Sequence, residues 1–126
     1  MSTLLEQAEL AADLLGAAAH ENGRIVCTAE SLTGGMVSEL ITSVAGSSAW
    51  FDRGYVTYQI SGKEEMIDVP AEVIAEFGVV SEPVAEAMAR GALACSHADL
   101  SVALTGVAGP SGGTAQTPVG TVCIGW

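Results

Sequence analysis

Three short segments hold residue types that could together support nucleophilic catalysis or bind an anion. The first is Thr28-Ala-Glu-Ser31-Leu-Thr-Gly-Gly35, between a β-rich run and a helical pattern. In open α/β sheets, ligands bind outside the carboxyl ends of the strands. Gly34 and Gly35 permit a tight turn that frees backbone N–H groups at a helix start, where they stabilise a phosphate or an oxyanion. Ser31 is either a nucleophile or a cap, and serine before a helix is usually a cap. The second segment, Tyr58-Gln-Ile-Ser-Gly-Lys63, carries the single lysine of the chain. In the first turn of a helix the dipole disfavours a cation and lowers the lysine pKa. Glu64 and Glu65 push the other way unless they point to solvent. A neutral lysine can serve a serine hydroxyl as general base, and Tyr58 could relay or hold the proton. The plainer reading is a solvated lysine and a half-buried tyrosine.

The third segment, Thr105-Gly-Val-Ala-Gly-Pro-Ser-Gly-Gly113, follows a strand directly. Backbone amides in such a loop can form an anion-binding nest. It is neither a Walker A loop nor GxGxxG. Gly109-Pro-Ser111-Gly-Gly113 does fit the GxSxG spacing. A nucleophile elbow, however, needs a helix after the serine and a histidine later in the chain. Here proline and a strand follow, and no histidine lies beyond His97.

A metal site is not expected. The histidines are His20 and His97 only, with no HxH or HExxH. The cysteines Cys27, Cys95 and Cys123 are odd in number, widely spaced and without a CxxC, which argues against a disulfide framework. Carboxylate pairs such as Glu72/Glu76 and Glu82/Glu86 have the spacing of solvated helix faces. No cofactor is called for.

The elements that must position these residues alternate. Residues 4–19 have helical spacing, with Asn22-Gly23 as a stop. Arg24–Thr28 reads as a short buried strand and residues 35–44 as a helix, broken by Ala45-Gly-Ser-Ser48. Arg53–Gln59 is β-rich. Ser61, with Glu64 three residues on, predicts a capping box and a helix start. Pro70 and Gly78 bracket a short helix, and Ser81 caps a longer one over about 82–95, with Pro83 tolerated in its first turn. Leu100–Thr105 is a strand, Gly106–Pro118 a loop and Val119–Ile124 a final strand. Strands separated by helices predict an α/β fold: a three-layer sandwich with a mostly parallel sheet flanked by helices. The chain stops at Gly125-Trp126 on an apolar strand, where a native domain usually continues by a hairpin or a covering helix.

Composition bounds the function classes. The 126 residues suit one domain, and 49% are apolar, which disfavours disorder. Acidic residues outnumber basic ones 15 to 4, a formal charge of −11. That argues against nucleic acid and against anionic membrane surfaces as partners. No run is long and apolar enough to span a membrane, and the N-terminus has no basic region of a signal peptide. A cytoplasmic protein is expected.

Taken in order, Thr28–Gly35, Ala45-Gly-Ser-Ser-Ala-Trp-Phe51, Tyr58 with Lys63, Gly78-Val-Val-Ser81, Thr105–Pro110 and Pro118-Val-Gly-Thr121 resemble the CinA C-terminal domain over nearly the whole chain. That family comprises nicotinamide-nucleotide amidohydrolases, and the resemblance implies hydrolysis of the carboxamide of nicotinamide mononucleotide in pyridine nucleotide recycling. It implies a Ser-Lys acyl-enzyme with Ser31 as nucleophile, Lys63 as base and Tyr58 beside them. Glu30, Thr33, Gly34, Gly35, Thr105, Gly106 and Gly109 are expected around the substrate, with Arg53 near its phosphate. Three departures stand out: Ile60 where members often have Asn, Thr117 where they often have Lys, and the absence of the further β-structure and C-terminal helix. The rival expectation is a weak or inactive nucleotide-binding module of the same family. The partner expected is a small nucleotide substrate, in a homo-oligomer, most simply a dimer.

Overall fold

A computed structural model describes residues 2–126. Its order is α1 (Leu4–Asn22), β1 (Val26–Glu30), α2 (Met36–Thr42), a 3-10 turn (Ser47–Ala49), β2 (Phe51–Val56), α3 (Ile60–Ile67), α4 (Ala71–Phe77), α5 (Glu82–Ala94), β3 (Leu100–Gly106) and β4 (Val122–Gly125). The sheet runs β2-β1-β3-β4. β1 is parallel to both β2 and β3, and β4 is antiparallel to β3. The expected three-layer α/β architecture is therefore present, with one antiparallel edge strand.

The helices are started and stopped by local chemistry. Thr3 and Glu6 form a reciprocal capping box on α1, and Gly23 ends it in the left-handed conformation. Ser81 caps α5 through the Val84 N–H, with Pro83 in the first turn. The capping box expected at Ser61 and Glu64 does not form. α3 begins two residues earlier, at Ile60, with Gln59 instead of Ser61 as an N-cap that makes no side-chain cap bond. The first strand also runs two residues later than its apolar run suggested, through Thr28 and Glu30.

Pleating of β1 sends successive side chains to opposite faces. Cys27 and Ala29 pack with Val84, Met88 and Ala92 of α5 and Ile67 of α3. Val26 packs on the other face with Ile41 of α2, Ala19 of α1 and Trp50. Thr28 and Glu30 share that second face, as their bonds to Ser38 of α2 show. Chain connections thus leave β1 toward one face and reach β3 from the other. The crevice outside the carboxyl ends of β1 and β3 is the topological switch point, where such sheets bind ligands. Among the described residues, no helix is long and apolar enough to cross a membrane, and no three His, Cys, Asp or Glu residues are grouped to hold a metal.

Candidate active site

Ser31 is the first residue beyond β1 and continues its pleat toward α3. Its N–H donates to the Leu104 carbonyl at 3.1 Å, and Thr57 N–H donates to the Glu30 carbonyl at 2.8 Å. Both sheet ladders therefore extend to the serine and fix its backbone. Lys63, the fourth residue of α3, reaches back beneath it and is fully buried. Its Nζ lies 3.0 Å from Ser31 Oγ, 2.6 Å from the Thr57 carbonyl oxygen and 3.3 Å from that of Tyr58.

No carboxylate pairs with this amine. The ion pairs among the described residues are Arg53–Asp52 and Arg90–Glu86. Burial pushes the Lys63 pKa below its ordinary value, because desolvation penalises the cation. The lowering expected from sequence is present, with burial as its cause here. A neutral amine has two hydrogens and one lone pair. Nζ donates to Ser31 Oγ and to the two carbonyls, and no counter-ion stands against it among the described residues. Once deprotonated, it can keep both carbonyl bonds and turn its lone pair to the Ser31 hydroxyl.

Ser31 opens onto a cavity of about 300 Å³ lined by Leu32, Tyr58, Gln59, Ile60, Val79, Val80, Thr105, Gly106 and Ala108. Most of this wall is apolar, so a flat ring can be held beside the serine. A larger groove of about 470 Å³, lined by Val73, Phe77 and Ala87 among others, lies between α4 and α5. It contains no nucleophile and base in contact, so the smaller cavity is the better site.

The other expected site residues divide. Thr105 is buried at the cavity and donates its hydroxyl to the Val79 carbonyl at 2.9 Å. Gly106 also lines the wall, and a Cβ there would stand 2.9 Å from Leu32 Cδ1 and 2.3 Å from the Thr121 carbonyl. Tyr58 is 65% exposed at the mouth and meets Lys63 through its carbonyl rather than its hydroxyl. Gly109 is outside the lining; its positive φ of 79° shapes the loop against Val119.

Arg53 is not at the cavity. It pairs with Asp52 and donates to the Cys95 carbonyl at the end of α5, because it stands in mid-β2 opposite Cys27 rather than at the strand end. Glu30 is fully buried and spends both oxygens on the start of α2. Gly35 N–H donates to Glu30 and Gly34 N–H to the Ser31 carbonyl, so neither amide is free for an oxyanion. Thr33 keeps a buried Oγ1 with no hydrogen-bond partner. Within this turn, the N–H groups of Leu32 and Thr33 have no acceptor among the described residues. Sequence reasoning passed over Leu32, Ser38 and the Thr57 carbonyl, since none carries chemistry of its own type.

The family that the motifs resemble is the one the comparisons find. The CinA C-terminal domain model matches residues 8–126. The chain belongs to the CinA C-terminal domain family. It is 53% identical over 108 residues to the nicotinamide-nucleotide amidohydrolase PncC of Escherichia coli K12, covering 86% of this chain and 66% of that protein. It thus spans just under two thirds of that relative's length. It is also 54% identical over 104 residues to a putative competence-damage inducible protein of Symbiobacterium thermophilum, covering 82% of this chain and 24% of that one. Among solved structures it superposes on the competence/damage inducible protein CihA of Agrobacterium tumefaciens with a TM-score of 0.92 and 44% identity, over 98% of this chain and 75% of that one.

Proposed function

We propose that the chain is an amidohydrolase that releases ammonia from the carboxamide of nicotinamide mononucleotide, leaving nicotinate mononucleotide, within pyridine nucleotide recycling. The observation that carries this reading is the buried Lys63 amine at 3.0 Å from Ser31 Oγ, with both its hydrogens matched to carbonyls. The amidohydrolase name of the Escherichia coli relative supports the substrate.

Lys63 takes the Ser31 proton as Oγ bonds to the amide carbon. The proton passes to the amide nitrogen, the C–N bond breaks, and ammonia leaves. Water then attacks the acyl-enzyme, giving its proton to Lys63, which returns it to Ser31. The oxyanion falls to the Leu32 and Thr33 N–H groups, the amides of this turn without an acceptor. One good donor of this kind lowers the barrier by about 3 kcal/mol. The apolar wall of Leu32, Ile60, Val79 and Val80 holds the pyridine ring. With Arg53 elsewhere, the phosphate depends on backbone donors of the loop after β3.

The test is ammonia release from nicotinamide mononucleotide with equimolar nicotinate mononucleotide, plus mass-spectrometric capture of the acyl group on Ser31. A +metal control makes no difference if the base is Lys63. Ile60 at the cavity wall favours the rival reading, a module that binds the nucleotide without turnover. Saturable binding without an acyl adduct on Ser31 would establish that rival.

The same base sets a pH dependence. Hydrolysis needs neutral Lys63, so kcat/KM rises with pH along a limb lying below the ordinary lysine value of 10.5. Stability follows the same group. Between the lowered folded pKa and 10.5 the unfolded chain binds the extra proton, so this group's contribution to stability increases with pH there. Below the folded pKa both states are protonated and the cost of burying the cation is felt in full. A rate limb at the value of an exposed lysine would contradict the burial seen here.

A further inference from the structure

At the end of β1 the pleat sends two neighbouring side chains, Glu30 and the following Ser31, to opposite faces. Ser31 goes to Lys63, and Glu30 goes to the start of α2. Glu30 is fully buried with no cation against it among the described residues. Its Oε1 accepts from the backbone N–H groups of Gly35 at 3.2 Å and Val37 at 2.9 Å. Its Oε2 accepts from the Ser38 N–H at 2.9 Å and the Ser38 hydroxyl at 2.6 Å. With its own proton committed to Glu30, Ser38 Oγ accepts from the Thr28 hydroxyl at 2.8 Å. Gly54 of β2 leaves room for this network, since a Cβ there would stand 2.4 Å from Ser38 Oγ and 2.6 Å from Thr28 Oγ1.

Burial by itself would raise the Glu30 pKa. The hydrogen bonds, led by the Ser38 hydroxyl, outweigh burial and hold it below the ordinary glutamate value. The group is a carboxylate at neutral pH, and it closes residues 31–35 into a turn fastened at both ends. A capping side chain ordinarily satisfies one or two of the free amides at a helix start. Here one carboxylate takes three amides and a hydroxyl, directly beside the serine that faces the base.

We propose that Glu30 is a positioning residue for Ser31: its carboxylate locks the 31–35 turn so that Oγ meets Lys63 Nζ and the Leu32 and Thr33 N–H groups stay unbonded. The inference rests on the reading of Ser31 as nucleophile. It gives Glu30 a different role from the substrate contact expected from sequence. Glutamine has the size of glutamate but presents an amide nitrogen at one of the two oxygen positions. Either position faces N–H donors, so a neutral isostere opposes the turn that the carboxylate closes. A nucleophile displaced by about 1 Å loses roughly 100-fold in rate without any lost substrate contact.

The experiment compares the wild-type chain with E30Q and S38A. It measures kcat and KM for ammonia release from nicotinamide mononucleotide, the rate of Ser31 labelling by a fluorophosphonate, and the circular dichroism melt. In labelling, Ser31 Oγ bonds to phosphorus, fluoride leaves, and the hydroxyl proton passes to Lys63, so nucleophile alignment is read without the nucleotide. We expect E30Q to lower kcat and labelling together by roughly 100-fold and S38A by roughly 10-fold, with KM within about twofold. A raised KM with wild-type labelling would make Glu30 a substrate contact and overturn the inference. A lowered melting temperature with wild-type kcat and labelling would make it a fold element only, which also overturns it. If E30Q does not fold, S38A decides: slowed labelling supports the inference and wild-type labelling overturns it. Wild-type behaviour separates the two readings. A wild type that labels on Ser31 but leaves the nucleotide intact refutes the substrate, and the variants still test Glu30 by labelling. A wild type that does not label refutes the nucleophile and this inference with it.

Discussion

Ser31→Ala and Lys63→Met should each reduce amide hydrolysis at least ~10³-fold while the chain stays folded. In the proposed mechanism the serine supplies the electron pair that attacks the carbonyl and Lys63 is its base: Nζ is 3.0 Å from Oγ, and among the described residues no histidine or carboxylate hydrogen-bonds to the hydroxyl. General-base catalysis contributes about 10²–10⁴-fold, and removing either member of such a pair costs nearly as much as removing both. The double variant should therefore be no slower than the worse single one. Methionine matches lysine in length and puts no charge in a fully buried site. It deprives the Thr57 and Tyr58 carbonyls of their donor, a cost of about 1–3 kcal/mol for a buried acceptor, and removes the desolvation cost of the amine. The two oppose each other, so the melt should move little. Steady-state ammonia release and thermal melts check both parts. A Lys63→Met chain within tenfold of wild-type rate would end the Ser-Lys mechanism.

The helix ends were legible where one local signal settles them. Ser81 with Pro83 marked α5, and Pro70 with Gly78 marked α4. The start of α3 was not, because a distant constraint sets it. Lys63 reaches back to the carbonyls of Thr57 and Tyr58, which draws the first turn tightly onto the end of β2 and leaves Ser61 and Glu64 inside the helix. The register of β1 was obscured by Glu30, whose type argues against a buried strand. It is tolerated because α2 supplies donors for both oxygens, and those are contributed by residues whose spacing announces nothing.

The site shows the same division. Ser31, Thr105 and Gly106 line one cavity, and Lys63 meets Ser31 from beneath it; the single lysine was legible by its type, and the other positions by their place in the motifs after strands. Arg53 was drawn in by charge alone, and its position in mid-strand puts it on α5 instead. Gly34 and Gly35 shape the turn without offering amides to a substrate. Residue type announces what a group can do, but only the sheet register decides which groups share a face. The sequence-level signal available was the pleat itself. Once β1 ends at Glu30, adjacent residues must diverge, and Ser31 and Glu30 cannot both face the substrate.

Gly91→Ala should destabilise the chain by about 3 kcal/mol and lower the rate as well. On propensity alone the change would help, since alanine exceeds glycine by about 1 kcal/mol in a helix interior. Packing reverses the sign. A Cβ at Gly91 of α5 would stand 1.9 Å from the Ile67 carbonyl oxygen and 2.9 Å from its carbonyl carbon. These are backbone atoms of α3 and cannot rotate away, so the helices must separate. Overpacking of this kind costs about 1–3 kcal/mol and sometimes more. For a chain of this length that is a fall in Tm of roughly 10 °C. Ile67 lies one helical turn beyond Lys63 on α3, and its side chain is part of the core against α5. Any shift that relieves the clash therefore carries the Lys63 amine away from Ser31. The thermal melt reads the first effect, and kcat for ammonia release at a temperature well below the melt reads the second. A stabilised Gly91→Ala chain would mean that α3 and α5 do not make this close approach, and that Lys63 is held at Ser31 by something other than their packing.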